Sequence, residues 1–166
     1  MPLRILGIDP GTTRIGYGLV EKRGMTLKHL ASGLLPVSPF GRNDAERLLD
    51  LEDQLTRLIQ KLQPDIIGVE KLFFTKNKKT AMRVAEARGV VLKTAAENGV
   101  RLVEISPVEA KIAVTGHGRA AKTAVAKMTN LILKIPPRKV ADDVTDALAI
   151  AIAASAGSWS TGKGKD

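Results

Sequence analysis

Two acidic residues stand at the ends of apolar segments that are typical of buried strands. Asp9 follows the mostly apolar run Leu3–Ile8, and Glu70 follows the run Ile66–Val69. Carboxylates that are brought together repel one another unless a cation lies between them, and oxygen-only ligand sets suit hard cations such as Mg²⁺ or Mn²⁺. An acid at a strand end is also common in ordinary turns. Each residue alone is therefore weak evidence for a metal site, which would need further acids as ligands.

A second pair of acids lies in the C-terminal part of the chain. Asp143 and Asp146 are three residues apart at the start of Ala141–Ala156, a segment that predicts a helix. Acids in a first helical turn also stabilise the helix dipole by about 0.3–1 kcal/mol without any function. Asp142 lies four residues before Asp146, so spacing alone accepts it as the partner in place of Asp143. The spacing leaves both alternatives open.

These acids suggest a site for two divalent cations. Two such ions about 3.5–4 Å apart can activate a water and stabilise both oxygens of an in-line displacement at phosphorus. At least one carboxylate must bridge them, and Asp9, on the predicted central strand, is the candidate.

The positive charge of the chain is concentrated in one region. The formal net charge is +9 and the isoelectric point is about 10.0. From Lys71 to Lys139 there are 15 Lys or Arg and 4 Asp or Glu, a net of +11, which leaves −2 for the rest. A generally basic, soluble surface is the alternative, but such asymmetry favours a nucleic-acid footprint. An acidic cluster in a basic protein suggests a metal-dependent enzyme that acts on a polyanion.

Two aromatic residues follow Glu70 within the basic loop Lys71–Lys79. Phe73 and Phe74 lie there, in a chain that has only three Phe, one Tyr and one Trp. A base stacked on an exposed aromatic ring contributes about 1–3 kcal/mol. We expect one Phe to be exposed for stacking and the other to anchor the loop.

A glycine-rich turn further along the chain could hold a phosphate through its backbone N–H groups. Lys111, Arg119 and Lys122 flank Gly116-His117-Gly118. The pattern of a nucleotide-binding loop is absent, and His117 is interpreted as a phosphate contact rather than a catalytic group. The complete set of predicted DNA contacts is Phe73, Phe74, Lys76, Lys78, Lys79, Arg83, Lys111, His117, Arg119 and Lys122.

Hydrophobic periodicity predicts ten elements. The predicted strands are Leu3–Ile8, Arg14–Glu21, Leu27–Val37, Asp65–Val69 and Val100–Ile105. The predicted helices are Asn43–Leu62, Thr80–Asn98, Pro107–Val114, Ala120–Leu133 and Ala141–Ala156. This order predicts an α/β fold with a mixed five-stranded sheet, three strands antiparallel and then parallel strands, with helices on both faces. The ends of the first and fourth strands would then be neighbours.

Gly89, inside the second predicted helix, costs that helix about 1 kcal/mol relative to Ala. Its presence suggests close approach of another backbone or of a partner chain.

Length and composition favour one globular domain over residues 1–156 with a flexible tail over residues 157–166. The chain has 166 residues, 44% of them hydrophobic, which excludes a disordered protein. The run Ala147–Ala156 is too short to span a bilayer. Cysteine is absent and Met1–Arg4 has no signal-peptide architecture, so we expect a cytoplasmic protein.

The chain resembles the RuvC family of Holliday-junction resolvases over nearly everything from Leu3 to Ala154. The matching motifs are Gly7-Ile8-Asp9-Pro10-Gly11, Val69-Glu70, Phe73 with Lys76-Asn77, Ala85-Glu86-Ala87-Arg88-Gly89, Lys111, Gly116-His117-Gly118 with Lys122, and Asp143-x-x-Asp146-Ala147-Leu148-Ala149. Together they are highly specific, although the first alone is not. One departure is Lys71 directly after Glu70, where many relatives carry a polar neutral residue.

The resemblance implies an RNase H-like fold and a homodimer that makes paired, Mg²⁺-dependent nicks in a four-way DNA junction during recombination and repair. Mn²⁺ would substitute for Mg²⁺, with two ions per active site, and branch-migration motor proteins would be partners. Phe73 would be the stacking wedge, and Lys111 and Lys122 would contact phosphate near the scissile bond. The resemblance assigns metal ligation to Asp9, Glu70, Asp143 and Asp146, and catalysis to these acids and Lys122.

Three other classes of protein share the core fold that this resemblance implies. Actin-like ATPases and sugar kinases need a second such domain, for which 166 residues leave no room. A catalytically inactive scaffold would lack at least one of the four acids. A resolvase-like RNA-processing nuclease would keep Asp9 but lack the combination of Lys76-Asn77 with Asp143-x-x-Asp146.

Overall fold

The computed structural model describes residues 1–37, 43–72, 78–136 and 141–157. The described chain forms the strands β1 (Leu3–Asp9), β2 (Arg14–Arg23), β3 (Thr26–Pro36), β4 (Ile66–Glu70) and β5 (Arg101–Ile105). It also forms the helices α1 (Asp44–Leu62), α2 (Lys78–Glu97), α3 (Pro107–Thr115), α4 (Lys122–Leu133) and α5 (Asp142–Ser155). The predicted order and type of elements are confirmed. Of the predicted tail, residues 158–166 lie outside the described residues.

The five strands form one mixed sheet in the order β3-β2-β1-β4-β5. The three N-terminal strands pair antiparallel, whereas β1 pairs parallel with β4, and β4 with β5. The predicted sheet is therefore confirmed. Because β1 and β4 are parallel neighbours, their C-terminal ends meet at the same edge of the sheet.

The sheet separates two layers of helices, because alternate strand residues point to opposite faces. Leu6 and Ile8 of β1 pack with the apolar faces of α1 and α2. Leu3 and Ile5 point the other way and pack in the cluster that contains α5. Helix α5 is buried from Ala147 to Ser155, since the sheet covers one side of it and α3 and α4 contact the other.

Local signals explain where two of the helices begin. Asn43 caps α1, with its side chain accepting a hydrogen bond from the backbone N–H of Glu46 at 2.9 Å. Helix α3 begins with a capping box, in which Ser106 and Glu109 each accept a hydrogen bond from the other's backbone N–H. The sequence reasoning missed this second cap, although its Ser-Pro-x-Glu pattern was visible.

No helix in the described parts of the chain is long and apolar enough to cross a membrane.

A Cβ atom added at Gly89 would meet nothing within 4 Å among the described residues. Of the two predicted reasons for this glycine, close approach of another backbone of the same chain is therefore not observed.

Candidate active site

Asp9 and Glu70 are the last residues of two adjacent parallel strands. The register pairs Ile8 with Val69, so the next residue along each strand stands beside its counterpart. Strand alternation directs both carboxyl groups to the face of the sheet that α5 covers. The predicted meeting of these two acids at one sheet edge is confirmed.

A row of glycines lets α5 lie directly on this face. Gly7 pairs with Gly18 on one side and with Gly68 on the other, so the three glycines form one row across the central strands. A Cβ at Gly7 would lie 1.9 Å from the carbonyl oxygen of Ala147 and 2.6 Å from the amide nitrogen of Ala151. The backbone of α5 therefore approaches that of β1 as closely as only glycine permits.

A fourth glycine brings the start of α5 beside Asp9. Gly16 pairs directly with Asp9 in the sheet, and a Cβ on Gly16 would lie 2.0 Å from the carbonyl oxygen of Asp143. Asp143 thus lies over the residue next to Asp9, and Asp146, one turn further along α5, lies nearer the end of β4. The side chain of Asp142 is more exposed, at 75% against 25% for Asp143, and it lies near Lys122.

The four acids influence one another's ionisation. Burial, followed by the charges of Glu70, Asp146 and Asp143, raises the pKa of Asp9 to about 7, while Lys122 opposes the shift. Burial and then Asp146 raise the pKa of Glu70, although a hydrogen bond with Asp9 opposes the change. Burial also raises the pKa of Asp146, against the ion pair with Lys122. Burial and mutual repulsion therefore both disfavour full ionisation of the acids at this sheet edge.

Two cations flank the cluster. The Lys122 ammonium, at the first residue of α4, lies 3.1 Å from Asp146 and 3.4 Å from Asp142. Burial lowers the pKa of Lys122, but these two carboxylates outweigh it and the net shift is upward. On the other side, Nε of Arg14 donates a hydrogen bond to Asp143 at 2.6 Å. The sequence reasoning missed Arg14, whose signal was its position at the start of the strand that pairs with β1.

The acidic cluster matches a hard divalent cation in donor chemistry. All four side chains offer oxygen only, the ligand type that Mg²⁺ and Mn²⁺ prefer, and a cation among them would relieve the repulsion that raises the pKa of Asp9. Within the described residues, no three acidic or histidine side chains are already arranged as a metal site. Asp143 and Asp146 are instead paired with Arg14 and Lys122.

A cleft opens beside the acids on the side of α3 and α4. Its volume is about 200 Å³, and it combines acidic and basic groups. Lys111 of α3 and Lys122 of α4 line it together with Glu70 and Asp146. The remaining lining is apolar and comes from Pro107, Ala110, Val125, Ala149 and Ile150. An anionic group entering this cleft would meet two ammonium groups next to the acidic cluster.

The other predicted DNA contacts are distributed over three locations. His117 and Arg119 are exposed in the turn between α3 and α4, where Gly116 adopts φ 75°. Arg83 is exposed on α2. Lys78 and Lys79 begin α2, but their side chains are not described, and Phe73, Phe74 and Lys76 lie outside the described residues.

Comparisons with known proteins agree across nearly the whole chain. The family model for crossover junction endodeoxyribonuclease RuvC matches residues 5–154. The crossover junction endodeoxyribonuclease RuvC of Moorella thermoacetica is 45% identical over 148 residues, 89% of this chain and 88% of that protein. Its counterpart in Chloroflexus aggregans is 45% identical over 150 residues, 90% of this chain and 91% of that protein.

Solved structures show the same agreement. T. thermophilus RuvC in complex with a Holliday junction substrate superposes with a TM-score of 0.86 at 32% identity, covering 92% of this chain and 93% of that one. The yeast mitochondrial Holliday junction resolvase Ydc2, at 15% identity and a TM-score of 0.65 over 91% of this chain and 78% of its own, shares the fold.

Proposed function

The chain belongs to the RuvC family of crossover junction endodeoxyribonucleases, and we propose that it resolves four-way DNA junctions by metal-dependent hydrolysis at the cluster of Asp9, Glu70, Asp143 and Asp146. Its RNase H-like fold is the one that the junction-bound relative has. The observation that carries the proposal is the convergence of four carboxylates from three elements at one sheet edge, where burial and then the charges of the other three acids raise the pKa of Asp9 to about 7. A protein that had no use for this repulsion could remove it with a single neutral residue.

The four carboxylates would hold the cation. The proposed metal is Mg²⁺, with Mn²⁺ as a substitute and two ions per site, because two ions can activate a water and stabilise the leaving oxygen in one displacement. Asp9 stands between Glu70 on its own sheet edge and Asp143 over Gly16, which is the position a bridging ligand needs. Asp146 lies between this group and Lys122.

Lys122 and Lys111 would act on the DNA strand. Both line the cleft beside Glu70 and Asp146, so a phosphate that enters the cleft would meet positive charge next to the acids. The upward-shifted pKa of Lys122 keeps it charged at neutral pH. We propose that it contacts the phosphate next to the scissile bond and stabilises the negative charge that develops there.

The wider DNA contact surface would include the exposed turn between α3 and α4. His117 and Arg119 lie in this turn and Arg83 is exposed on α2. We assign Phe73, Phe74, Lys76, Lys78 and Lys79, on sequence grounds, to contacts near the junction centre. This charged surface predicts that log K for the junction falls with log salt, with a slope of roughly −0.9 for each phosphate contacted. Lys122→Ala should reduce the slope, the cleavage rate or both.

The active form would be a homodimer. A four-way junction requires two cuts related by a two-fold axis, each chain has one such cluster, and an isologous interface satisfies the symmetry. On α2 the exposed residues Met82, Ala85 and Gly89 lie on one stretch of surface, and the small side chains would permit close packing. Branch-migration motor proteins would be partners of the dimer, and its DNA substrate would be met in the cytoplasm.

The test compares a four-way junction with a linear duplex of matched sequence, in Mg²⁺ and in EDTA. Wild-type protein should make paired nicks only in the junction and only with the metal. Asp9→Asn preserves the shape of the ligand but removes its charge, so cleavage should fall by several orders of magnitude. Junction binding should survive, because the phosphate contacts come from Lys and Arg. Normal cleavage by Asp9→Asn, or equal cutting of the duplex, would contradict the proposal.

A further inference from the structure

The motif Ala85–Gly89 in α2 is a part of the family resemblance to which the proposed chemistry assigns no catalytic role. Its side chains divide between two neighbours. Glu86 accepts a hydrogen bond from the buried Arg47 of α1 at 2.5 Å. Arg88, two residues later, reaches the sheet edge on which the acidic cluster lies.

Arg88 makes two directional contacts at that edge. Its Nε donates a hydrogen bond to the backbone carbonyl oxygen of Glu70 at 3.2 Å, and its Nη2 donates to Oε1 of Glu104 at 2.5 Å. The side chain is only 15% exposed. A guanidinium presents several N–H donors in a rigid plane, so it can hold two acceptors at a fixed separation, which a lysine cannot do.

The contact with Glu70 lies at the end of strand β4. Glu70 is the last residue of β4, and after it the N–H of Lys71 donates a hydrogen bond to the carbonyl oxygen of Ile105 at 2.8 Å. A hydrogen bond to the peptide of Glu70 restrains the carboxyl group, because it fixes the backbone from which that group projects.

We propose that Arg88 is a positioning residue, which holds Glu70 in place for metal binding and thereby connects α2 to the acidic cluster. The inference rests on the proposed function in taking Glu70 as a metal ligand. This proposal assigns a role to Arg88 within the motif Ala85–Gly89. Arg88 is adjacent to Gly89 on α2, the helix proposed for the dimer interface, and it would hold the metal ligand Glu70 in position.

The experiment uses Arg88→Gln, Arg88→Lys and the full-length wild-type protein. Arg57→Gln is the matched control, because Arg57 also pairs with an acid at 2.6 Å but is exposed on α1. Mn²⁺ binding is measured by calorimetry without DNA, and cleavage of the junction is measured over a range of Mg²⁺ concentrations. Thermal melting and junction affinity in EDTA are measured for every variant.

Arg88→Gln should weaken Mn²⁺ binding, and cleavage at limiting Mg²⁺, by about 10–100-fold, the usual effect of removing a group that orients a metal ligand. High Mg²⁺ should restore part of the rate, and junction affinity should be unchanged. Arg88→Lys should be intermediate, since it can keep one of the two contacts. Glu104→Gln, which leaves the bond to Glu70 intact, should have a smaller effect and add little to Arg88→Gln.

Four results would overturn the inference. Unchanged Mn²⁺ binding with a lowered melting temperature would make Arg88 a purely structural residue. Weaker junction binding with a salt slope reduced by about one would make it a phosphate contact. Wild-type protein that binds no Mn²⁺ and cuts no junction would refute the proposed function itself, and with it the role of Glu70. An Arg88→Gln protein identical to wild type would refute only the inference.

Discussion

The acidic cluster sets the pH dependence of stability at the level of single residues. Burial and three neighbouring acids raise the pKa of Asp9 from its usual 3.8 to about 7. Between these values the folded protein holds a proton that the unfolded chain has lost, so stability falls as the pH rises through this window. The stabilisation that comes from the proton on Asp9 is fully present below the pKa that Asp9 has in the unfolded chain, and it is lost above the pKa that Asp9 has in the folded protein. Function therefore opposes stability at this position in the absence of metal.

Asp9→Asn should abolish most of this pH dependence. In EDTA, the melting temperature of the wild-type protein should decline between about pH 4 and pH 7, and that of the variant should decline much less. At pH 8 the variant should melt several degrees above the wild type, because each kcal/mol of relieved destabilisation shifts the melting temperature of a domain of this size by about 2–4 °C. Calorimetry over this pH range is the measurement. Parallel curves for the two proteins would show that Asp9 is not the group responsible.

Asp142 and Asp143 provide a second comparison between single residues. Asp143 lies beside Asp9, paired with Arg14, whereas Asp142 is largely exposed and 3.4 Å from Lys122. Asp143→Asn should abolish Mg²⁺-dependent cleavage with little loss of melting temperature. Asp142→Asn should cut at nearly the normal rate and lose about 0.3–1 kcal/mol through the helix dipole. Both are compared in one cleavage assay at saturating Mg²⁺, where an inactive Asp142→Asn beside an active Asp143→Asn would reverse the assignment.

At the level of elements, the distance between α5 and the sheet decides whether the acids meet. The row Gly18-Gly7-Gly68 removes the side chains that would hold the helix away, and Gly16 does the same at the helix start. An ordinary helix packed on a sheet rests on intervening side chains. Here the backbones are in contact, and a small change in spacing would move Asp143 and Asp146 together relative to Asp9.

Gly7→Ala should therefore disrupt both packing and catalysis. Its new Cβ would be 1.9 Å from a carbonyl of α5, and no side-chain rotation can relieve a contact with backbone. Overpacking of this kind costs about 1–3 kcal/mol or more. Gly89→Ala is the matched control, since nothing lies within 4 Å of the added Cβ and helix propensity should improve by about 1 kcal/mol. Thermal melting and cleavage are measured for both, and a fully active, stable Gly7→Ala protein would contradict this account.

At the level of the whole molecule, the proposed dimer helix and the acidic cluster lie on opposite faces of one sheet. Helix α2 packs with α1 on one face, and α5 packs with α3 and α4 on the other. An interface through α2 would leave the cleft of each chain open to DNA. The region Lys71–Lys139, with a net charge of +11, contains α2, α3 and α4 and so contributes to both faces.

Gly89→Leu should weaken dimerisation without destabilising the chain. The residue is exposed, and among the described residues an added Cβ has no neighbour within 4 Å, so we expect the larger side chain to obstruct an external surface rather than this chain's own packing. Gln60→Leu, which adds an exposed leucine to α1, is the control. Sedimentation at micromolar concentration should show dissociation for Gly89→Leu only. A wild-type protein that is monomeric at this concentration and resolves junctions fully would refute the dimer.

The sequence by itself determined the elements and the positions of the acids within them. The apolar runs Leu3–Ile8 and Ile66–Val69 and the hydrophobic periodicity of Asn43–Leu62 are local signals, so they predicted these strands, the first helix and the strand-end positions of Asp9 and Glu70. These signals arise from neighbours within a few residues along the chain, which is the range over which sequence periodicity acts.

The tertiary structure alone decided which distant residues meet. Spacing accepted either Asp142 or Asp143, and only the packing of α5 against Gly16 placed Asp143 beside Asp9. The pairing of Arg14 with Asp143 and the contact of Arg88 with Glu70 join residues that are 129 and 18 positions apart. No local pattern encodes such contacts, because they depend on the distance at which a helix settles on a sheet, and here four glycines set that distance.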